Sequence, residues 1–165
     1  MRRAVFFDRD GTINKDVGYL HRVQDLQIID GIPQLIKQCN DKGYLVIVIT
    51  NQSGIARGIY TVSEMNYLHH VLCERLQTET GAHIDSFYYC PHLPEISGKC
   101  NCRKPEPGLF LKAIEEWSIC AECSISIGDS LRDEIASKRA GIGQFFYIDE
   151  VLSDADFGNK VLCTL

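Results

Sequence analysis

The sequence predicts an α/β fold, a three-layer, Rossmann-like arrangement with helices on both faces of a parallel sheet. Two observations lead to this prediction: short apolar runs alternate along the chain with amphipathic segments, and several runs end in clusters of polar residues. With 165 residues, 45% of them hydrophobic and 24% charged, the chain has the size and composition of one globular domain. We expect that domain to span residues 1–165.

The first strand and helix follow from residue pattern and turn residues. Residues 3–8 form an apolar run typical of a buried strand. A helix is predicted to begin at Gly31-Ile32-Pro33, because proline is favoured in the first helical turn and apolar residues then recur every three or four positions. The helix is predicted to end in the segment 40–43, which closes on a glycine.

The second strand and helix have equally clear signals. Residues 43–50 are rich in β-branched side chains and predict a strand. Thr61 and Glu64 have the spacing of a capping box, in which each side chain bonds the backbone N–H of the other residue. They predict the start of a long helix that reaches about Thr80.

Strands and helices alternate again in the second half of the chain. They are predicted, in order, as a strand over 84–90, a helix from Pro107 through Trp117, a strand over 124–128, a helix over 131–140 and a strand over 144–148. The last residues, from Ser153 to Leu165, carry only weak signals. Helical crossovers between successive strands predict a parallel sheet.

The charge and the N-terminus exclude several classes of partner. The net charge is −5 and the chain has no run of Lys or Arg, so we expect neither nucleic acid nor an anionic membrane as a partner. The N-terminal apolar run breaks at Asp8 and is too short for a signal peptide or a spanning helix, so we expect a cytoplasmic protein. In a reducing compartment, eight cysteines indicate metal binding or catalysis.

Polar residues follow four of the predicted strands. Asp8 and Asp10 come after the first strand, residues 50–54 after the second, residues 90–92 after the third and Asp129 after the fourth. Ligands of open parallel sheets bind outside the carboxyl ends of the strands. Any one cluster is compatible with ordinary polar loop residues, but four in succession indicate a site.

The acidic residues at this edge favour a divalent cation. Asp8, Asp10 and Asp129 would place three carboxylates around one point, where a hard cation relieves their repulsion. Oxygen-only ligands favour Mg²⁺, which commonly keeps several waters and binds a phosphate oxygen. The alternative, that Asp8 only caps the turn after the first strand, leaves Asp129 unexplained.

The remaining polar residues suit phosphoryl transfer. Thr50 offers a hydroxyl and Lys104 a positive charge to the phosphoryl oxygens. Asp8 would attack phosphorus and form an aspartyl phosphate, while Asp10 would protonate the leaving oxygen and then activate water. The chain has no G-x-x-x-x-G-K-[ST] motif, which excludes a P-loop nucleotide enzyme.

Taken together, the motifs resemble those of the haloacid dehalogenase phosphatase superfamily. Its four motifs correspond, in order, to DRDGT, TN, the downstream Lys104 and GDSLRD. The segments INKDVGYLH, TNQSGIARG, YYCPHLP and CNCRKPEPG are similar to the D-glycero-D-manno-heptose 1,7-bisphosphate phosphatases, and the resemblance covers roughly residues 3–148. It implies a haloacid dehalogenase fold without a large cap domain, with Asp8 as nucleophile, Asp10 as proton donor and Asp129 as a Mg²⁺ ligand.

The resemblance also implies which residues contact a phosphorylated sugar. Arg103 would recognise the sugar-side group and Lys104 would stabilise the phosphoryl group. The family usually has a Lys directly after the aspartate of the fourth motif, where this chain has Ser130, so one phosphate or substrate contact is missing. Asp133 remains, either to orient Lys104 or a metal-bound water, or to cap the next helix. The implied substrate-binding residues are Asp16, Val17, Gly18, Tyr19, Asn51, Gln52 and Ser53, together with Thr50.

Four residues of the loop 90–104 indicate a second metal. Cys90, His92, Cys100 and Cys102 form a C-x-H…C-x-C pattern, which is a closed donor set for tetrahedral zinc. The spacing differs from the common C-x-x-C knuckle, but the zinc loop of the family has the same pattern. The resemblance therefore implies a structural zinc that positions Arg103 and Lys104, which follow the last ligand directly.

The other cysteines are expected to have no special role. Cys120 and Cys123 form a lone C-x-x-C, which is compatible with a redox pair or half of a zinc site. It has no second pair to match it, so we expect plain thiols there. Cys39 and Cys73 have helical core spacing and are expected to act as small apolar residues. Cys163 lies in the C-terminal tail.

The histidines outside the zinc loop give weaker signals. His69 and His70 lie on the long predicted helix without a partner in sequence, and we expect solvent or core positions for them. His21 either lines the site or packs beside it.

Three alternative functions remain open. A histidinol-phosphate phosphatase shares the DRDGT, CPHLP and CRKP motifs, although TNQSGIARG favours the heptose branch. A phospho-accepting signalling domain uses a similar Asp, Thr and Lys but has no acid/base two residues beyond the nucleophile, so Asp10 argues against it. A zinc-bound interaction module would leave the acids idle. We expect a monomer that supplies lipopolysaccharide precursor or nucleotide-activated sugar.

Overall fold

The computed structural model describes residues 1–162, and its centre is one parallel sheet of five strands in the order β3-β2-β1-β4-β5. All five predicted strands are present, so the predicted α/β fold is confirmed. Their bounds are β1 Ala4–Phe7, β2 Leu45–Asn51, β3 Ser86–Cys90, β4 Ile125–Gly128 and β5 Gln144–Tyr147.

The four predicted helices are also present, and shorter helices accompany them. Among residues 1–162, the connections at the carboxyl edge of the sheet are loops, one three-residue 3₁₀ helix and one four-residue helix, and no large cap domain is present. The helices are α1 Ile32–Asp41, α2 Val62–Thr80, α3 Pro94–Ser97, α4 Gly108–Trp117, α5 Leu131–Arg139, α6 Ile148–Ser153 and α7 Phe157–Val161, with a 3₁₀ helix at Val23–Asp25.

The central position of β1 places the first acidic loop in the middle of the carboxyl edge. Phe7 of β1 is level with Val48 of β2 and with Ile127 of β4. The loop that starts at Asp8 therefore lies between the ends of β2 and β4. This register brings the first, second and fourth predicted motifs to one place.

Alternation along the strands divides the core between the two faces of the sheet. On β1, Val5 and Phe7 face the cluster that α1 and α2 cover, while Ala4 and Phe6 face the cluster that α4 covers. All four side chains are 0% exposed. A strand buried on both faces has no polar alternation, which explains the continuous apolar run in the sequence.

The residues that the sequence predicted to begin and end the helices do so in the structure. Thr61 and Glu64 form both hydrogen bonds of the capping box at the start of α2, and Gly81 ends that helix with φ 74°. Pro33 lies in the first turn of α1. None of the helices in residues 1–162 is long and apolar enough to cross a lipid bilayer.

The prediction of plain thiols at Cys120 and Cys123 was wrong, because the two residues form a disulfide. The Cα atoms of Cys120 and Cys123 lie 5.3 Å apart, within the range that a disulfide spans. They flank a turn in which Ser124 N donates to Ala121 O. Cys39 is buried in the core as predicted, and Cys73 is half-buried on α2. Cys163 lies outside the described residues.

Candidate active site

A cleft of about 420 Å³ lies at the carboxyl edge of the sheet and collects nearly all of the predicted catalytic and substrate-binding residues. The predicted catalytic residues that line it are Asp8, Asp10, Thr50, Arg103 and Lys104. The predicted substrate-binding residues that line it are Asp16, Gly18, Tyr19, Asn51, Gln52 and Ser53. Val17 lies outside this cleft, where its side chain is 48% exposed beside a neighbouring groove.

Lys104 is the buried cation of the cleft. Its Nζ lies 2.7 Å from Asp8 Oδ1 and 2.6 Å from Asp133 Oδ1, and it donates to Ile49 O at 2.7 Å. Burial would lower the pKa of Lys104, but the two carboxylates outweigh burial and raise it. Burial raises the pKa of Asp8 to about 7, although Lys104 opposes that shift. Lys104 is therefore a fixed positive charge in direct contact with Asp8.

Three carboxylates meet beside Lys104. Asp8, Asp129 and Asp133 each offer one oxygen, and these atoms lie within 4.8 Å of one another. Burial, reinforced by the charge of Asp133, raises the pKa of Asp129. Gly11 is needed here because a Cβ at that position would lie 2.2 Å from Asp129 Oδ2, and its φ is 84°. Such a cluster of carboxylate oxygens matches the donor set of a hard divalent cation.

The carboxylate of Asp10 bonds to a different set of neighbours. Arg9 Nη2 lies 2.9 Å from both of its oxygens, Asn14 Nδ2 donates to Oδ1 at 3.0 Å, and Gln52 Nε2 donates to Oδ2 at 3.0 Å. The side chain is 24% exposed and lines the cleft. The acids that meet are thus Asp8, Asp129 and Asp133, and the assignment of Asp10 as a metal ligand stays a prediction.

The loop after β2 ties these groups together. Gln52 Nε2 also donates to Thr50 Oγ1 at 2.8 Å, and its Oε1 accepts a hydrogen bond from Tyr60 Oη. Asn51 Oδ1 accepts from Lys104 N at 3.0 Å, and Asn51 Nδ2 donates to Lys104 O at 3.1 Å. Asn51 therefore fixes the backbone of Lys104 in addition to lining the cleft.

Asp133 combines the two roles that the sequence left open. Its Oδ2 accepts from Ser130 N at 3.1 Å and from Ser130 Oγ at 2.6 Å, so it caps α5. Its Oδ1 forms the ion pair with Lys104. Burial would raise the pKa of Asp133, but Lys104 outweighs it and lowers that pKa.

Asp16, Gly18 and Tyr19 form one wall of the cleft. Asp16 Oδ1 accepts from Gly18 N at 2.9 Å, and Tyr19 has a left-handed backbone with φ 49°. A non-glycine residue in this conformation is uncommon and often marks a binding loop. His21 stacks on Tyr60 with ring centroids 5.5 Å apart, which gives it the packing role.

Four residues that line the cleft were not predicted from the sequence: Arg57, Tyr60, Leu93 and Arg132. Arg57 lies over the Tyr19 ring, with its Cζ 5.7 Å from the ring centroid. Arg57 belongs to the TNQSGIARG segment, so its place in that motif could have identified it as a site residue. Arg132 lies two residues beyond Ser130 in the first turn of α5, and only the three-dimensional structure places it at the cleft.

The four predicted zinc ligands form a compact cluster. Cys102 Sγ lies 3.1 Å from Cys90 Sγ and 3.4 Å from Cys100 Sγ, and His92 Nδ1 lies 3.3 Å from Cys102 Sγ. Zn–S bonds of about 2.3 Å in a tetrahedron would separate sulfur atoms by about 3.8 Å. The donor types and their separations therefore fit one tetrahedral ion. Arg103, next in sequence, donates from Nη1 to His92 O at 3.2 Å.

Comparison with known proteins identifies the family. A family model described as "Polynucleotide kinase 3 phosphatase" matches residues 3–153. A relative from Haemophilus ducreyi, named D-glycero-beta-D-manno-heptose-1,7-bisphosphate 7-phosphatase, is 44% identical over 145 residues, which cover 86% of this chain and 80% of the relative. The chain belongs to the heptose-bisphosphate phosphatase family. A Helicobacter pylori member of the same name is 44% identical over 140 residues, covering 85% of this chain and 80% of that protein.

Solved structures agree with this family of phosphatases. The D,D-heptose 1,7-bisphosphate phosphatase from B. bronchiseptica, complexed with magnesium and phosphate, has a TM-score of 0.82 and 28% identity, covering 92% of this chain and 86% of that one. A putative HAD-like phosphatase from Mesorhizobium loti has a TM-score of 0.84 and 28% identity, covering 98% and 85%. The haloacid dehalogenase fold is therefore confirmed.

Proposed function

We propose that this chain is a Mg²⁺-dependent phosphatase that removes the 7-phosphate of D-glycero-D-manno-heptose 1,7-bisphosphate through an aspartyl phosphate. The observation that carries the mechanism is the buried contact of Asp8 with Lys104, inside a cleft that also collects Asp10 and Thr50. The assignment of the substrate rests on the names of two relatives that are 44% identical to this chain.

In the first step, a carboxylate oxygen of Asp8 attacks phosphorus. An O–P bond forms to Asp8 while the bond from phosphorus to the sugar oxygen breaks, and Asp10 gives a proton to the departing oxygen. Lys104 and the hydroxyl of Thr50 bind phosphoryl oxygens as negative charge moves among them. Asp133 and Ile49 hold two of the three N–H donors of Lys104, so the donor that contacts Asp8 is the one that turns to a phosphoryl oxygen.

In the second step, Asp10 acts as a base. It takes a proton from a water molecule, which attacks phosphorus, and the bond between phosphorus and Asp8 breaks. Inorganic phosphate leaves and both aspartates return to their starting states. A signalling domain that keeps its phosphoryl group has no use for a second acid in this position.

Mg²⁺ fits the acidic cluster on the chemistry of its donors. Asp8 and Asp129 would hold the ion, since both offer carboxylate oxygens to one point. When bound, Mg²⁺ neutralises charge on Asp8 and on a phosphoryl oxygen. The B. bronchiseptica phosphatase, whose structure contains magnesium and phosphate, supports this assignment.

Zinc fits the cluster of Cys90, His92, Cys100 and Cys102, and we assign it a structural role. Three thiolates and one imidazole leave no open position for substrate. The loop 90–104 contains few buried apolar residues, so a metal is the main element that would order it. Arg103 and Lys104 follow the last ligand directly, so the zinc would hold both cations at the cleft.

The second phosphate of a bisphosphate is assigned to the arginines of the cleft. Arg103 offers a planar guanidinium suited to bidentate contact with phosphate. Position 130 has a serine where the family usually has a lysine, and the Ser130 hydroxyl donates a hydrogen bond to Asp133. Arg132 and Arg57 line the same cleft and supply positive charge that Ser130 does not. This charge favours a bisphosphate over a monophosphate.

The experiment is a comparison of kcat/KM for heptose 1,7-bisphosphate, heptose 7-phosphate and histidinol phosphate. The bisphosphate should be hydrolysed best, because its second phosphate contributes binding energy that orients the reacting one. Histidinol phosphate carries a cationic amine that Arg103 and Lys104 would repel, so it should be poor. EDTA should stop turnover and Mg²⁺ should restore it.

A matched pair of variants sharpens the substrate assignment. Arg103→Ala should remove most of the preference for the bisphosphate while affecting the monophosphate less. Arg2→Ala is the control, because Arg2 lies over Trp117 at the opposite edge of the sheet. If histidinol phosphate is the best substrate, the assignment of heptose 1,7-bisphosphate as the substrate is wrong.

A further inference from the structure

One buried group in contact with the site has no part in the proposed reaction. Arg9 is 0% exposed although it carries a full charge, and His69 of α2 beside it is 5% exposed. A buried guanidinium keeps its charge only where its donors are satisfied. The five N–H groups of Arg9 therefore need acceptors inside the protein.

The acceptors of Arg9 divide into two sets. Toward the cleft, Nε and Nη2 lie 3.2 Å and 2.9 Å from Asp10 Oδ1, Nη2 lies 2.9 Å from Asp10 Oδ2, and Nη2 also donates to Leu20 O at 3.4 Å. Away from the cleft, Nη1 lies 3.0 Å from His69 Nε2. The imidazole is thus the neighbour of the one nitrogen that does not contact Asp10.

The chemistry of this contact defines the state of His69. A guanidinium only donates, so Nε2 must accept and the proton must be on Nδ1. Burial, reinforced by the charge of Arg9, lowers the pKa of His69 to about 3, so the ring is neutral at physiological pH. The ring stacks on Phe87 of β3 with centroids 4.1 Å apart and planes within 11° of parallel. Phe87 therefore fixes the direction of the Nε2 lone pair.

We propose that His69 is a positioning residue for Asp10: its neutral Nε2 holds Arg9, and Arg9 in turn holds the plane of the Asp10 carboxylate. This inference rests on the proposed function, in which Asp10 moves the proton. General acid–base catalysis requires the acid within hydrogen-bond reach of the departing oxygen, so a rotated carboxylate transfers its proton less often. His69 does not touch the substrate and acts only through Arg9.

The test compares two replacements of different chemistry. His69→Phe keeps a flat ring against Phe87 but removes the acceptor, and His69→Gln keeps an acceptor oxygen. We expect His69→Phe to lower kcat about 10- to 100-fold, part of the range of acid–base catalysis, with KM changed less than about twofold. His69→Gln should recover kcat to within about threefold of the wild type. His70→Phe and His70→Gln, at the exposed neighbour on α2, should leave kcat unchanged.

A second measurement needs no turnover and no stable variant. ¹⁵N NMR of histidine-labelled wild-type protein should report Nδ1–H and an unprotonated, hydrogen-bonded Nε2 for His69, unchanged between pH 5 and pH 8. An Nε2–H tautomer, or titration near the ordinary histidine value, would overturn the proposal. So would wild-type kcat in a folded His69→Phe variant.

Failure of the proposed function is a separate outcome. If the wild-type protein releases no phosphate from any substrate, the reaction assigned to Asp10 is wrong. The contact of His69 with Arg9 is then judged by the NMR tautomer and by the ¹³Cγ signal of Asp10. The chemical shift of Asp10 ¹³Cγ should change in His69→Phe and remain at the wild-type value in His70→Phe.

Discussion

Asp8 and Asp10 are two residues apart, yet the structure gives their carboxylates different neighbours. Asp8 lies against Lys104 and the acids Asp129 and Asp133, whereas Asp10 lies against Arg9. The sequence predicted that these groups belong to one site, because all follow strands of a parallel sheet. It did not predict the partners, since the direction of a side chain after a strand depends on atoms from elsewhere in the chain. Lys104, for example, is 96 positions from Asp8.

The different surroundings predict different failures when each acid is changed. Asp8→Asn should lower kcat on the order of 10⁴–10⁶-fold, as when a covalent nucleophile is removed, because an amide does not attack phosphorus. Asp10→Asn should lower kcat about 10²–10⁴-fold, the usual contribution of general acid–base catalysis. Phosphate release on the bisphosphate, measured with circular dichroism on the same samples, tests both.

Asp41→Asn serves as the control for these variants. Asp41 is exposed at the end of α1, where its partner is Lys37, so this change should leave kcat unaltered. Mass spectrometry of rapidly quenched wild-type protein should detect a phosphoryl group on Asp8 and none on Asp8→Asn. Near-normal release by folded Asp8→Asn would rule out the aspartyl-phosphate mechanism.

At the level of elements, the helices were predicted from their period and the strands from their composition. The four helices of nine residues or more repeat their apolar positions over several turns, and the strands appear as short runs of apolar and β-branched residues. The short helices α3, α6 and α7 span four to six residues, which is at most about two turns. They are too short to show the helical repeat of apolar residues. A redox pair at Cys120 and Cys123 was an alternative that the sequence did not favour, because the turn that brings the two residues together is visible only in the backbone geometry.

The loop 90–104 depends on its four metal donors more than on packing. Cys100→Ala should therefore lose the zinc and loosen the loop, and kcat/KM should fall because Arg103 and Lys104 are no longer held. Elemental analysis of freshly purified protein should find about one zinc per chain in the wild type, surviving mild dialysis. Hydrogen exchange should report faster opening of residues 90–104 in Cys100→Ala.

Cys73→Ala gives the matched control for the loop. Cys73 is half-buried on α2, away from the cluster, so its loss should leave both zinc content and loop exchange unchanged. If freshly purified wild-type protein contains no zinc, the assignment of the loop as a zinc site is refuted.

At the scale of the whole molecule, the parallel α/β architecture followed from the order of elements, but the strand order did not. Helical crossovers between successive strands require a parallel sheet, and β1 is buried on both faces as its apolar run predicted. The order β3-β2-β1-β4-β5 reverses direction beside β1, and the cleft lies at that switch point. Sequence alone does not set this order, because several orders bury the same helix faces.

The stability of the whole fold should fall in mild acid because of His69. Its pKa is about 3 in the folded protein against 6.5 as the reference value, because the ring is buried beside Arg9. The unfolded chain therefore binds a proton below about pH 6.5 that the folded chain refuses until about pH 3. Unfolding becomes easier as pH falls through that window, and His69 alone should remove about 2 kcal/mol of unfolding free energy between pH 7.5 and pH 5.

Urea unfolding of the wild type and His69→Gln at pH 7.5 and pH 5 isolates this contribution. Other groups titrate in the same window, and the raised pKa of Asp8 acts in the opposite direction, since the folded state then binds the extra proton. Those groups are common to both proteins, so they cancel when the two pH dependences are subtracted. The difference should be about 2 kcal/mol for His69→Gln. His70→Gln, at the neighbouring position whose side chain is 65% exposed, is the matched control. Equal pH dependence in the wild type and His69→Gln would mean that His69 takes up a proton in the folded state as readily as in the unfolded chain, and its neutral contact with Arg9 would then be wrong.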